Sequence, residues 1–278
     1  MEVIQFIQQF SSPSLDIFFS IITNLGGQTI GVVISLILFW CVNKKLGFKF
    51  LYAMLFSFSL NNILKGFFNV KRPIGTEGII SGEVSTATGS SFPSGHSQGN
   101  GTAFAFLMNE YRNKFVWIIG MLMLILVPLS RLYFGVHWPL DVIFGTIIGI
   151  ISVFISNKLF DKYYDNSSYL IVYTTVFFIV LGFILPSEDL IKALGALSAL
   201  IISLLLERKF LNFNPKGTTK DHIIKLLIGI IGVLVLYLGL SKVLTYGILI
   251  FLKYFILIFW VTFLCPLIFL KLNLCRKE

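Results

Sequence analysis

Charge is what this sequence has least of. Only 13% of its 278 residues are Asp, Glu, Lys or Arg, about half the share a soluble domain carries, while 56% are hydrophobic. That shortage excludes an ordinary water-soluble globular domain and indicates an integral membrane protein. Cysteine is scarce too. Cys41, Cys265 and Cys275 lie in or beside apolar runs; an odd number without metal-ligand spacing argues against a disulfide framework or a thiolate metal site. The carboxylates form no cluster suited to Mg²⁺, and no internal repeat is visible. Met1-Glu2-Val3 brings no basic leader and no small-residue cleavage site, so a cleavable signal peptide is not expected.

What the chain has instead is apolar runs of membrane length. Spans are predicted near 26–42, 49–68, 96–110, 115–131, 139–157, 168–185, 190–206, 224–240 and 246–270. The third is short, with its first turn at the interface. Within 3–24, Ser11, Ser12, Pro13, Ser14 and Asp16 interrupt the pattern, which favours two short interfacial or re-entrant pieces over one full span. Placed alternately, one set of loops and span ends collects Lys44, Lys45, Lys49, Arg112, Lys114, Lys158, Lys162, Arg208, Lys209, Lys216, Lys220, Lys225, Lys271, Arg276 and Lys277, which is 15 of the 22 basic residues. The opposite side keeps six. The basic-rich side is predicted to be cytoplasmic. Topology then accounts for the net charge of +9 without a nucleic-acid partner. On the outer side the long loop is 71–95, polar and turn-rich, readable as a plain connector or as a flexible rim. The basic inner loop 207–225, with Pro215 and Gly217, marks a boundary. Residues 1–160 read as a core that carries the polar motifs, and residues 161–278 as additional transmembrane helices. The predicted fold class is all-α, a polytopic transmembrane helical bundle.

Two of the three histidines fall within a set of polar residues at the outer ends of spans. The first piece is Lys65 with Arg72-Pro73. Span-end cations often only snorkel to the interface, which suits Lys71. It suits Lys65 poorly, because Asn61, Asn62 and Lys65 share one helical face among apolar neighbours. The second piece is Pro93-Ser94-Gly95-His96. Ser94 and Gly95 at a helix N-terminus offer backbone N–H groups and a hydroxyl to an oxyanion. The third is Ser130-Arg131, His137 and Asp141. Pro139 predicts a helix starting near Trp138, so the spacing of four brings Asp141 to His137. A carboxylate that accepts from one ring nitrogen leaves the other free to attack. The alternative, a capping Asp beside an interfacial histidine, explains this last pair equally well when it is taken alone. Three cations, Lys65, Arg72 and Arg131, suit the oxygens of a phosphomonoester and the charge that develops in its transfer.

Together the three pieces, Lys65 to Arg72-Pro73, Pro93-Ser94-Gly95-His96, and Ser130-Arg131 to His137 to Asp141, resemble the type-2 phosphatidic acid phosphatase family. This is the lipid phosphate phosphatase and vanadium haloperoxidase superfamily, and the resemblance covers about residues 15–160. It implies a six-helix-type phosphatase core, followed here by a C-terminal transmembrane extension. It further implies His137 as nucleophile through a phosphohistidine, Asp141 as its orienting partner and His96 as the acid for the leaving alkoxide. Lys65, Arg72, Arg131, Ser94 and the Gly95 N–H would hold the phosphoryl oxygens. No cofactor and no metal are implied. The expected substrate is a lipid phosphate monoester or a polyprenyl diphosphate such as undecaprenyl diphosphate, handled at the extracytoplasmic face of the plasma membrane. Competing functions are a phosphotransferase with a lipid or sugar acceptor, a phosphatase for a soluble ester, and an anion transporter that would need no nucleophile.

Overall fold

The computed structural model describes residues 1–166 and 169–277. Among these the chain is almost wholly helical. Helix α1 (Glu2–Gln8) stops ahead of Ser11-Ser12-Pro13, and α2 (Pro13–Leu25) starts there. Ser12 caps α2 by accepting from the Leu15 amide at 3.4 Å, and Pro13 fills the first turn. The interruption read in 3–24 is therefore a real break between two short helices. Helix α3 (Gln28–Ile37) continues into a π-helical turn, Leu38–Val42. There follow α4 (Lys44–Phe68), α5 (Gly95–Glu110), α6 (Lys114–Tyr133), α7 (Pro139–Asn166), α8 (Leu170–Ile184), α9 (Glu188–Leu206), α10 (Thr219–Leu240), α11 (Ile248–Phe259) and α12 (Cys265–Lys271). A two-residue strand pair joins Phe213 to Lys277 and Asn214 to Arg276.

Among the described residues, five helical stretches are long and apolar enough to cross a bilayer: Lys114–Tyr133, Pro139–Tyr164, Glu188–Leu211, Thr219–Leu240 and Ile248–Lys271. The bent pair Pro13–Leu25 and Ile30–Val42 makes a sixth if taken as one span. Helix α8 is apolar but shorter, at 15 residues; the start of the expected span 168–185 falls partly on residues 167–168, outside the described residues. Helices α4 and α5 are less apolar because each turns a polar face inward. Ser57, Ser59, Asn61 and Asn62 of α4 are buried, as are Ser97, Gln98, Asn100 and Thr102 of α5. Polar groups at membrane depth are tolerated when they bond to one another inside the bundle. The chain is a multi-pass membrane protein.

By internal contacts the chain divides into two compact units. The first comprises Met1–Gly31 and Phe56–Ile155, and it contains every motif residue named above. Its apolar packing joins the N-terminal helices to α6: Phe19 meets Tyr133, Phe134 and Val136, and Ile22 meets Met123 and Val127. Its polar core ties α4 to α5. Gln98 Nε2 donates to Ser57 O at 2.7 Å, Asn61 Nδ2 donates to Gln98 Oε1 at 2.8 Å, and Thr102 Oγ1 donates to Ser57 Oγ at 2.7 Å. Helices α5 and α7 approach backbone to backbone. A Cβ on Gly101 would stand 2.8 Å from Thr146 O, and one on Gly145 would stand 2.8 Å from Ser94 O. Only glycine fits such a crossing.

The second unit comprises Val32–Leu55 and the described part of Ser156–Glu278. A buried ion pair, Lys44 Nζ to Glu207 Oε1 at 3.3 Å, is completed by Asn212 Oδ1 at 2.7 Å and by the Phe213 amide, which donates to Glu207 at 3.0 Å. Lys225 is fully buried and donates to Trp40 O and Pro215 O at 3.0 and 2.6 Å. Trp40 donates through Nε1 to Val261 O at 3.0 Å. Buried charges are tolerable only with such full sets of partners.

Candidate active site

The site is built at the ends of four helices of the first unit. Arg131 lies in the last turn of α6. A short connection follows, and Pro139 opens α7. His137 therefore sits just outside a helix start, with Asp141 inside the first turn. The expected pairing is present: His137 Nδ1 lies 3.3 Å from Asp141 Oδ2. Both residues are buried, His137 at 1% exposure. Asp141 Oδ2 also accepts from the Trp138 amide at 2.8 Å and, through a short hydrogen bond, from the Ser91 hydroxyl.

Arg72 decides the histidine tautomer. Its Nη1 lies 3.0 Å from His137 Nε2. A guanidinium is a donor only, so Nε2 must present its lone pair, and the ring proton resides on Nδ1, facing Asp141. Burial holds His137 well below the ordinary imidazole range; the Asp141 hydrogen bond opposes this, and Arg72, Arg131 and Lys65 reinforce it. His137 is thus held as a neutral imidazole whose Nε2 is unprotonated and accepts from Arg72, the protonation state that nucleophilic attack requires.

The other predicted residues converge on the same place. Lys65, in the last turn of α4, donates from Nζ to Thr88 O at 3.2 Å. Arg72 also donates to Thr88 O, Gly89 O, Ser90 O and Val136 O at 2.6, 3.0, 3.2 and 2.9 Å. Ser94 is the N-cap of α5, and its Oγ accepts from the Ser97 amide at 3.4 Å. Its own amide donates to Asp141 O at 3.0 Å, so that N–H locks α5 to α7. Gly95 opens α5 and His96 follows on the first turn, within electrostatic reach of Arg131, His137, Lys65 and Arg72. Arg131 is fully buried. It donates to Thr23 Oγ1 at 2.9 Å and to Thr86 Oγ1 at 3.0 Å, while its Nε–H has no partner. An unsatisfied buried guanidinium donor within electrostatic reach of the His137 ring is what an oxyanion would complete.

The sequence reading missed five residues. Ser91 touches both Asp141 and His137. Thr23 and Thr86 clamp Arg131. Gln8 ties down loop 71–95, with Nε2 to Ile80 O at 2.6 Å and Oε1 accepting from Ile80 N at 3.0 Å. Ser20 adds a bond to Glu83 at 2.7 Å. Loop 71–95 borders the site as a rim rather than as a plain connector. It is strapped to α1 and α2, and its carbonyls accept from Lys65 and Arg72. Ser91 alone had a signal, two residues before Pro93, though nothing in the sequence separates it from the neighbouring serines.

Residues 46–165 match the PAP2 superfamily, and residues 191–277 match the PAP2 superfamily phosphatase, transmembrane extension. A probable sphingosine-1-phosphate phosphatase of Dictyostelium discoideum is 29% identical over 160 residues, covering 53% of this chain and 39% of that protein. An undecaprenyl-diphosphatase of Sulfolobus acidocaldarius is 31% identical over 127 residues, covering 46% of this chain and 61% of that protein. The chain thus spans about four and six tenths of the length of these two relatives. The crystal structure of Aquifex aeolicus LpxE is similar with a TM-score of 0.51 and 31% identity, over 56% of this chain and 93% of that one. Lys65, Arg72, Ser94, Gly95, His96, Arg131, His137 and Asp141 all lie within 46–165.

Proposed function

Since this chain belongs to the PAP2 superfamily, we propose that it is a membrane phosphatase acting on a lipid phosphate monoester or a polyprenyl diphosphate. The curated relatives named above support a phosphorylated lipid as substrate. The observation that carries the chemistry is the His137 ring, buried and neutral, with Nδ1 on Asp141 and Nε2 beside Arg72.

In this reading the phosphoryl group enters where Lys65, Arg72 and Arg131 converge, and its oxygens take over donors that now serve loop carbonyls. Ser94 and the Gly95 N–H complete the cradle at the α5 N-terminus. The Nε2 lone pair attacks phosphorus. The N–P bond forms as the P–O bond to the lipid breaks, and that electron pair leaves on the alkoxide or phosphate oxygen. His96 supplies the proton, which its ring takes up as the anionic phosphoryl group offsets the surrounding cations. Positive charge appearing on the His137 ring is met by Asp141, a contact that strengthens only as the transition state is reached. Water then attacks the phosphohistidine, its proton passes to His96, and the N–P bond breaks to restore the neutral ring. The three cations supply the charge that a divalent metal provides elsewhere, so the mechanism runs without one.

We further place the site at the extracytoplasmic face of the plasma membrane, because 15 basic residues gather at the other ends of the helices. Residues 1–160 carry the chemistry and residues 161–278 extend the bundle. The test is phosphate release by the purified protein from a panel of phosphatidic acid, phosphatidylglycerol phosphate, undecaprenyl diphosphate and a soluble phosphate ester, in excess EDTA. Turnover of at least one lipid, faster than of the soluble ester, is expected. Turnover only after Mg²⁺ is restored, or of the soluble ester alone, overturns the reading.

A further inference from the structure

The mechanism leaves one buried hydroxyl at its centre without a role. Ser91 is fully buried, and its amide is anchored to Val70 O at 2.8 Å, so the backbone sets its place independently of its side chain. The hydroxyl donates to Asp141 Oδ2 and lies 3.4 Å from His137 Nδ1. Asp141 Oδ2 thus receives Ser91 Oγ, the Trp138 amide and His137 Nδ1, and the histidine contact, at 3.3 Å, is the longest.

We propose that Ser91 is a positioning residue for the reaction: its hydroxyl fixes the Asp141 carboxylate and takes up part of its accepting capacity, so that His137 is oriented by Asp141 without being drawn towards protonation. This rests on the reading of His137 as the nucleophile. The physical conflict it resolves is specific. An oxygen that accepted from His137 alone would orient the ring well, but it would also favour the imidazolium, which has no lone pair on Nε2 for attack. Two competing donors, Ser91 Oγ–H and Trp138 N–H, weaken that pull in the ground state. When N–P bond formation makes the ring cationic, the Nδ1 contact can shorten, and its strengthening falls on the transition state.

The groups facing His137 are Asp141 from α7, Arg72 and Ser91 from the segment after α4, Lys65 from α4, His96 from α5 and Arg131 from α6. Ser91 carries no charge at any pH, so replacing it leaves the charge of the site unaltered. Ser91→Ala removes one donor from Asp141 and keeps the backbone anchor.

The experiment follows hydrogen–deuterium exchange at the C2 position of each histidine by mass spectrometry across pH, which reports ring protonation without requiring turnover. In Ser91→Ala the His137 midpoint should move upward, the acid limb of kcat should move with it, and kcat should fall roughly tenfold with KM within about twofold. Ser91→Cys, similar in size with a weaker donor, should fall between wild type and the Ala variant. If Ser91→Ala does not fold, the Cys variant carries the same measurement. An unmoved His137 midpoint in the folded variant overturns the proposal, whatever happens to the rate, because it leaves Ser91 only a packing role. Absence of wild-type turnover would instead strike the phosphatase reading and leave the exchange result interpretable.

Discussion

In the proposed mechanism His137 is the residue on which the chemistry turns. His137→Ala should lower kcat by about 10³-fold or more, as loss of a covalent nucleophile does, and should abolish an acid-labile phosphate that maps to residue 137 during turnover. Detection of that phosphate on another side chain would displace the assignment. The second expectation is the pH profile. Burial, joined by Arg72, Arg131 and Lys65, lowers the pKa of His137 from 6.5. Its free-base form therefore persists as pH falls through 6.5, and the acid limb of kcat/KM should lie below that value. The same shift has a stability consequence. Below pH 6.5 an unfolded chain binds a proton at this histidine that the native ring refuses, so protonation favours unfolding and stability declines towards acid. Activity halving near or above pH 6.5 would show that the ring is not held neutral.

At the scale of elements, the crossing of α5 and α7 carries the site. Gly145 lets the Ser94 carbonyl and Asp141 come together, and the Ser94 amide then bonds Asp141 O at 3.0 Å. In an isolated helix Gly→Ala gains about 1 kcal/mol of propensity. Here the new Cβ would stand 2.8 Å from a backbone oxygen, and overpacking of that kind costs about 1–3 kcal/mol. The clash wins. Gly145→Ala should lower the midpoint of thermal unfolding in detergent and reduce kcat, because Ser91, Ser94 and Asp141 move apart. A variant as stable and active as wild type would remove the crossing from the account. The same crossing explains what was legible in advance. The eight candidate residues fall in three short motifs with local spacing, and the α7 start was marked by Pro139. Thr23, Ser91 and Gln8 act on partners 108, 50 and 72 residues away, and nothing local marks a Thr that meets an arginine across a bundle. The helical pieces within 3–24 were readable from Ser12-Pro13. That they pack on α6 and strap loop 71–95 was not, because both depend on the tertiary fold.

For the whole molecule, sidedness is the open physical question, and two exposed positions answer it. In a background with Cys41, Cys265 and Cys275 replaced, Ser85→Cys on the outer loop should react with an impermeant maleimide on intact cells. Lys216→Cys should react only after the membrane is opened; it is preferred to its neighbour Thr218, which caps α10 through a capping box with Asp221. The reverse pattern would put the site among cytoplasmic lipids. The second whole-molecule feature is the way the chain is shared between its compact units. Residues 32–55 come early in the chain, yet they belong with 156–278. Chain order and structural autonomy therefore do not coincide. A deletion after residue 160 leaves every candidate catalytic residue in place, yet it strips Lys44 of Glu207 and Asn212, and Trp40 of Val261. Removing the carboxylate partner from a buried ion pair costs several kcal/mol. The shortened protein should accordingly be lost to proteolysis in cells, whereas the same two segments expressed together as separate polypeptides should recover activity. The extension is thus a covalent latecomer on which an early segment depends, and dissection by genetic truncation would misreport it as catalytic.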